Sequence, residues 1–230
     1  MTTNTGWSAS HEPLLPTSRA AAQQVRERGV LAILRSLMPR RLLTTREAQV
    51  VAELQANRLL ELAGLPQAPV PNELITELPR IAVRLDPDLP VSGCAQWVSG
   101  RWLISLNASE PWTRQRFSLA HELKHVIDHP GVNIVYAGDQ QAEYLADYFA
   151  ACLLMPRRYV RAVWYDGMQS LAALSEHFGV SERAMAVRLQ YLGLREPTAR
   201  HATTPGPPAQ RQRRRRYERA SHPFATGAIT

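Results

Sequence analysis

The sequence predicts an α+β fold in which helices surround a small antiparallel sheet and a helix-turn-helix-like helical segment follows. Apolar residues recur with helical spacing between residues 18 and 64, and again from about residue 112 to residue 194. Between these regions, short stretches alternate apolar and polar residues, as strands with one buried face do. The 230 residues are 45% hydrophobic and 20% charged, which is an ordinary globular composition.

The N-terminal part is predicted to be helical after a disordered start. Residues 1–17 are polar and interrupted by prolines, so we expect disorder there. Residues 18–43 are expected to form a helical extension, whose apolar spacing is interrupted at Gly29. Thr44 and Glu47 have the spacing of a capping box, which predicts that the next helix begins there.

Three strands are predicted in the middle of the chain, at residues 80–86, 95–98 and 101–107. Ser99 and Gly100 are a turn signal between the last two strands, which we therefore expect to form a hairpin. The edge of the sheet near 101–107 is a candidate to hold an extended peptide by strand addition.

Helical spacing returns in the second half of the chain. One helix is predicted from about 112 to 128, where "HPG" ends it, and a loop is expected at 130–139. A further helix covers about 140–155 and ends at Pro156. Two short helices within 170–194 predict the helix-turn-helix-like segment.

The basic charge of the chain is concentrated at its end. Residues 195–230 contain eight arginines and two glutamates, so they carry +6 of the formal net charge of +7. The remaining part carries +1, which weakens any expectation that the folded part binds nucleic acid through bulk charge. The run "RQRRRR" (211–216) could contact nucleic acid or an acidic partner without specificity, or simply be solvated.

Cysteine usage and hydropathy favour a cytoplasmic protein. Cys94 and Cys152 form neither a CxxC motif nor a disulfide framework, so we expect a reducing compartment. No apolar stretch reaches the ~18 residues that a membrane span needs. The start of the chain, "MTTNTGWSASHEPLLP", lacks the charged and apolar regions of a signal peptide.

The stretch "FSLAHELKHVIDH" (117–129) contains an H-E-x-x-H motif made by His121, Glu122 and His125. Two histidines four residues apart on a helix project from one face, so both imidazoles can bind one zinc ion. Glu122 lies beside them, where it can act as a general base towards a bound water. The motif is short, and an ordinary amphipathic helix with three polar residues is the alternative.

The predicted helix at 140–155 offers a further ligand. Glu143 and Asp147 are one turn apart on an otherwise apolar helix, so they share a face and a common partner explains both. We expect Glu143 to bind the metal and Asp147 to accept a hydrogen bond from a ligand imidazole, although these two roles could be exchanged. His129 is a weaker candidate because "HPG" ends its helix, and Lys124 is expected to face solvent.

The two motifs resemble those of the ImmA/IrrE family of zinc metallopeptidases. The matching stretches are "RQRFSLAHELKHVIDH" (114–129), "QAEYLADYFAACLLMP" (141–156) and "SLAALSEHFGVSERAMAVRLQYLGL" (170–194). The resemblance covers roughly residues 45–194 and implies a zincin-like core. The roles that it implies are Zn²⁺ binding by His121, His125 and Glu143, general base catalysis by Glu122, and a supporting hydrogen bond from a ligand histidine to Asp147.

The resemblance also implies what the protein acts on. Members of the family are cytoplasmic endopeptidases that cleave a helix-turn-helix (Xre-like) transcriptional repressor and so derepress phage, mobile-element or stress genes. Tyr136, in the loop between the two motif helices, and His177 are candidates to stabilise the oxyanion that forms during hydrolysis.

With this resemblance, the chain is predicted to have five parts. They are a disordered N-terminus (1–17), an N-terminal helical extension (18–43), a zincin-like metallopeptidase core (44–165), a helix-turn-helix-like segment packed on the core (166–194) and a basic disordered tail (195–230).

An alternative function is a DNA-binding regulator or a toxin–antitoxin component that uses the 170–194 segment and has a non-catalytic zinc site. Its recognition helix would offer Arg183, Arg188 and Gln190 to base edges. Glu122 favours the enzyme, because a structural zinc site prefers four protein ligands and has no use for a base.

Overall fold

The computed structural model describes residues 29–195, which form a mixed α+β fold and confirm the predicted fold class. The predicted disordered start and basic tail, and the helix expected over 18–28, lie outside these residues. In chain order the described elements are α1 (Val30–Ser36), α2 (Thr45–Leu62), α3 (Glu73–Thr76), β1 (Ile81–Asp86), β2 (Gly93–Val98), β3 (Arg101–Asn107), α4 (Trp112–Asp128), α5 (Val132–Val135), α6 (Asp139–Leu154), α7 (Arg157–Tyr165), α8 (Leu171–Phe178) and α9 (Glu182–Leu192). None of these helices has the length and apolar character to cross a bilayer.

The sheet has the strand order β1-β3-β2, and the predicted hairpin of β2 and β3 is confirmed. Its turn has positive φ at Ser99 (50°) and Gly100 (80°), as a two-residue hairpin with the right-handed twist requires. The expectation of a purely antiparallel sheet was wrong, because β1 pairs with β3 in parallel. The most deeply buried strand, β3, takes the central position with Ile104 and Leu106 buried, and β1 and β2 lie on either side of it.

Helix α4 lies at the centre of the described fold and packs against β2 and β3, α6 and α1. Pro111 and Pro130 flank it and limit its extent. Its core-facing residues are Leu119, Ala120, Leu123, Val126 and Ile127, each at most 2% exposed. Arg35 of α1 donates hydrogen bonds to the carbonyls of Val126 (2.8 Å) and Ile127 (3.2 Å), which satisfies acceptors of the last turn.

Helix α2 packs against α6. The predicted capping box is confirmed: the Thr44 hydroxyl accepts from the amide of Glu47, and the Glu47 carboxylate accepts from the amide of Thr44. Helix α6 occupies the place predicted for the second motif helix. The expectation of an irregular loop at 130–139 was incomplete, because the short helix α5 forms within it.

Helices α8 and α9 are joined by a tight turn at Gly179, which has φ 63°. Ser170 and Ser181 cap the two helices through their hydroxyls. Phe178 and Met185 are fully buried within the main core. The boundaries of the five predicted parts stay predictions.

Gly179→Ala should destabilise the fold by about 1–3 kcal/mol, because the left-handed conformation disfavours a side chain. In addition, an added Cβ would lie 2.7 Å from the indole of Trp112, at the start of α4. Gly193→Ala is the matched control: Gly193 has φ 69° and nothing within 4 Å of its added Cβ. Urea unfolding should show a larger loss for Gly179→Ala, and equal losses in both variants would contradict the steric part of this prediction.

Candidate metal centre

Three ligand atoms from α4 and α6 meet in a small triangle. The Nε2 atoms of His121 and His125 are 3.1 Å apart. The carboxylate of Glu143 places one oxygen 3.2 Å from Nε2 of His121 and the other 3.3 Å from Nε2 of His125. Tetrahedral ligands about 2.05 Å from a zinc ion are separated by about 3.3 Å. The three side chains therefore form a group compatible with a metal site.

Helix geometry explains why these side chains converge. His121 and His125 are one turn apart on α4, on the side that the core leaves free. Glu143 lies on the face of α6 that its buried residues do not occupy, and α6 packs directly against α4. The Glu143 side chain is 63% exposed, so the group is open towards solvent on that side.

Asp147 contacts the other nitrogen of His121. Its Oδ1 lies 2.9 Å from Nδ1 of His121. A carboxylate can only accept, so Nδ1 must donate its proton, and the lone pair of Nε2 then points at Glu143 and His125. Burial lowers the pKa of His121, but the hydrogen bond and charge of Asp147 outweigh it and leave that pKa raised. Burial, followed by the charge of His121, lowers the pKa of His125.

Glu122 lies beside the triangle and is only 8% exposed. Burial is the main cause that raises the pKa of its carboxyl group, and the nearby Glu143 adds to it, while His121 opposes it. Gly93 of β2 makes room for it: a Cβ there would lie 3.1 Å from Cγ and 3.2 Å from Oε1 of Glu122. The structure thus holds a carboxylate with increased proton affinity next to the three ligand atoms, as a general base requires.

A cleft of about 570 Å³ runs between α4 and β2 and contains the whole group. Its lining includes His121, Glu122, His125, Glu143 and Asp147 together with Val91, Ser92, Gly93, Cys94, Ala95, Trp102, Arg114, Phe117, Ser118 and His129. The strand at 101–107 was the expected place for strand addition, and this was wrong because β3 has neighbours on both sides. The free edge beside the cleft belongs to β2.

The other sequence candidates lie elsewhere or do other things. The Tyr136 hydroxyl is buried and donates to Asp128 (2.5 Å). Neither Tyr136 nor His177 lines the cleft, so neither is placed to stabilise an oxyanion there. His129 lines the cleft but is not among the three converging ligands, and its ring packs edge-on against Trp102 with centroids 4.9 Å apart.

Lys124 is the residue that the sequence analysis placed wrongly. It is 1% exposed, and its ammonium donates to Asp128 (2.6 Å), Gln55 (2.8 Å) and the hydroxyl of Tyr136 (3.0 Å). Burial lowers its pKa, and the charge of Asp128 opposes that change. The four-residue spacing of Lys124 and Asp128 was the available signal. These contacts connect α4 to α2 and to the segment that leads into α6.

The proposed recognition helix is less accessible than its sequence suggested. Arg188 of α9 is 1% exposed, and its guanidinium donates to the carbonyl of Met155 (2.9 Å) and the sulfur of Cys152 (3.4 Å). Arg188 is therefore a core residue, which leaves Arg183 and Gln190 exposed on α9.

Comparison with known proteins agrees with this site. Residues 83–190 match the family model of the IrrE N-terminal-like domain, Peptidase M78. No curated protein matches the chain. Among solved structures, a Mycobacterium tuberculosis transcriptional regulator is similar, with a TM-score of 0.47 and 17% identity over 70% of this chain and 51% of that chain. The chain thus spans about half the length of that regulator. The part of the chain that matches the IrrE N-terminal-like domain of Peptidase M78, residues 83–190, contains the whole group of His121, His125 and Glu143.

Proposed function

We propose that this protein is a zinc-dependent endopeptidase that cleaves a helix-turn-helix transcriptional repressor in the cytoplasm and so derepresses phage, mobile-element or stress genes. The observation that carries the proposal is the convergence of His121, His125 and Glu143 in one cleft with the buried carboxylate of Glu122.

Zinc suits the group better than calcium or magnesium do. Two imidazole nitrogens and one carboxylate are typical zinc ligands, whereas the other two ions prefer oxygen. Three protein ligands with an open side are typical of a catalytic site, and a structural site would be closed by a fourth. When bound, the ion supplies Lewis acidity, which activates water and polarises a peptide carbonyl.

Glu122 performs the proton transfers in this proposal. Its carboxylate accepts a proton from the water whose oxygen bonds to the peptide carbonyl carbon. It then donates that proton to the amide nitrogen as the carbon–nitrogen bond breaks, which leaves a carboxylic acid and an amine. The position of Glu122 suits both steps, because its largely buried carboxylate lines the cleft together with His121, His125 and Glu143.

The free edge of β2 is suited to hold the substrate. An extended peptide can pair with the backbone of Gly93–Val98, because strand addition needs only main-chain donors and acceptors. This places the peptide along the same cleft as Glu122. A repressor would have to present an unfolded or extended segment, such as a linker, to be cleaved there.

The alternative of a DNA-binding regulator is less well supported. Arg188 is buried, and among the candidates only Arg183 and Gln190 remain exposed on α9. Sequence-specific binding normally requires more contacts to phosphates and bases than these two side chains offer.

Glu122→Gln should retain one bound zinc ion per chain and lower the rate of repressor cleavage by roughly 10²–10⁴-fold, the contribution of a general base. Helix-turn-helix repressors encoded beside this gene are the first substrates to incubate with the zinc-loaded protein, with cleavage followed by mass spectrometry. Glu176→Gln, at an exposed position on α8, is the matched control and should cleave normally. Unchanged turnover in Glu122→Gln would overturn the proposed mechanism.

A further inference from the structure

One end of the cleft is lined by aromatic rings. Trp102 of β3 and His129, which follows α4, line the cleft and pack edge-on with their centroids 4.9 Å apart. Trp97 of β2 also packs edge-on against Trp102, with their centroids 5.5 Å apart, and is 51% exposed. We call this region, together with Ala95, the aromatic end of the cleft.

The aromatic end is close to the metal-binding group. His129 is one turn beyond His125, which corresponds to about 6 Å along the helix. An extended peptide advances about 3.3 Å per residue. A substrate side chain at the aromatic end would therefore belong to a residue one or two positions from the cleaved bond.

Strand β2 leaves space for such a side chain. Gly93, Ala95 and Trp97 alternate onto the face that carries Trp102 and Leu106 of β3. The side chains on this face thus increase in size along the strand: Gly93 has none beside Glu122, Ala95 has a methyl group and Trp97 has an indole. Ala95 lines the cleft between the catalytic carboxylate and the tryptophans, and a larger residue there would fill this space.

The two ends of the cleft differ in chemistry. At the opposite end the guanidinium of Arg114 donates to the hydroxyl of Ser92, at 3.2–3.3 Å. Rings at the aromatic end favour an apolar side chain, because burying it removes apolar surface from water. Val91 and Phe117 also line the cleft, so the feature that distinguishes the opposite end is the charge of Arg114.

We propose that the aromatic end is a specificity pocket, which selects substrates with a bulky apolar side chain, aromatic by preference, one or two residues from the cleaved bond. The residues that set this preference are Ala95, Trp97, Trp102 and His129. The inference rests on the proposed function, because it assumes that the cleft binds a peptide across the metal.

The test uses small ligands that chelate zinc and carry side chains of chosen size. Two series of the dipeptides Gly-Gly, Phe-Gly, Gly-Phe and Phe-Phe place a benzyl group at either or both positions next to the chelating group. N-acetylated C-terminal hydroxamates place it on the N-terminal side, and N-formyl-N-hydroxy dipeptide amides place it on the C-terminal side. Calorimetric titration of the zinc-loaded full chain gives each Kd without requiring hydrolysis. We expect Phe at one of the two positions to lower the Kd roughly tenfold or more relative to Gly-Gly.

Variants locate the pocket. Ala95→Leu should reduce that gain to within about threefold, because the space is filled. Ala172→Leu, at an exposed position on α8, is the matched control and should bind like the wild type. Trp97→Ala, at a half-exposed position, is a second variant that should also weaken the gain without disturbing the core.

The outcomes separate the inference from the proposed function. If Gly-Gly hydroxamate does not bind, the metal site fails, and the inference fails with it. If Gly-Gly binds and Phe brings no gain at either position, the specificity pocket alone is wrong. A gain that persists in both Ala95→Leu and Trp97→Ala also overturns the inference, because the benzyl group would then bind elsewhere.

Discussion

Replacing Lys124 by methionine should lower the free energy of unfolding by about 3–5 kcal/mol, the cost of leaving a buried charge without its partner. Lys124 and Asp128 are both almost fully buried, and their charged atoms are 2.6 Å apart. Methionine preserves the length and apolar contacts of the side chain but removes the ammonium. Among the described residues, the carboxylate of Asp128 would then keep the hydrogen bond from the hydroxyl of Tyr136 and the charge of Arg35 nearby.

The double variant Lys124→Met/Asp128→Leu separates the charge effect from a packing effect. Exchange of a whole buried ion pair for apolar residues is often neutral or stabilising, so the double variant should recover most of the stability that Lys124→Met loses. Arg161→Met, at an exposed position on α7, is the control and should change stability by less than about 0.5 kcal/mol. Chemical denaturation of the metal-free proteins measures the free energy of unfolding of all three variants. A double variant as unstable as Lys124→Met would show that packing dominates.

Lys124 also shows where sequence reasoning stops. The helical period puts it about 60° round α4 from His121 and about 100° from His125, so it lies on the flank of the histidine face and not opposite to it. Periodicity cannot show what covers that side, and here Gln55 of α2 and Tyr136 cover it. Lysine is rarely buried without a partner, so the partner at four residues was the only local hint.

The convergence of His121, His125 and Glu143 was predictable because its geometry is largely local. The distance between His121 and His125 follows from one helical turn, and the shared face of Glu143 and Asp147 follows from another. Only the packing of α6 on α4 had to be supplied by the tertiary fold. The family resemblance implied that packing, since both motifs occur together there.

Sheet topology was less predictable, because the pairing of strands is not determined by local sequence. Alternation identifies strands and the turn at Ser99 and Gly100 identifies a hairpin, but neither gives the neighbour of β1. That neighbour depends on which strand is most deeply buried, and β3 is. The sheet edge was therefore expected at 101–107, but the edge strand that borders the cleft and its aromatic end is β2.

Glu143→Gln should weaken zinc binding by more than Asp147→Asn does. Asp147→Asn should weaken it by roughly 10–100-fold, which is typical when the changed residue only supports a ligand. One carboxylate oxygen of Glu143 lies 3.2 Å from Nε2 of His121, and the other lies 3.3 Å from Nε2 of His125. A metal ion bound by the two histidines would therefore be within reach of Glu143. Asp147 contacts Nδ1 of His121, on the far side of the ring from that point. Loss of its charge would leave the imidazole less firmly oriented and less basic, but would remove no ligand.

The order of the two affinities decides which carboxylate binds the metal. Competition titrations with a chromophoric chelator at constant pH give the zinc Kd of each variant. Asp139→Asn, in the first turn of α6 and exposed, is the control and should bind zinc like the wild type. A larger loss in Asp147→Asn than in Glu143→Gln would exchange the two roles. Such an exchange by helix movement needs α6 to rotate by about 40° and to slide by about 6 Å along its axis, since residues four apart on a helix differ by both. The fully buried Leu145, Ala146 and Phe149 of α6 oppose such a rotation, so we expect the order that the geometry indicates.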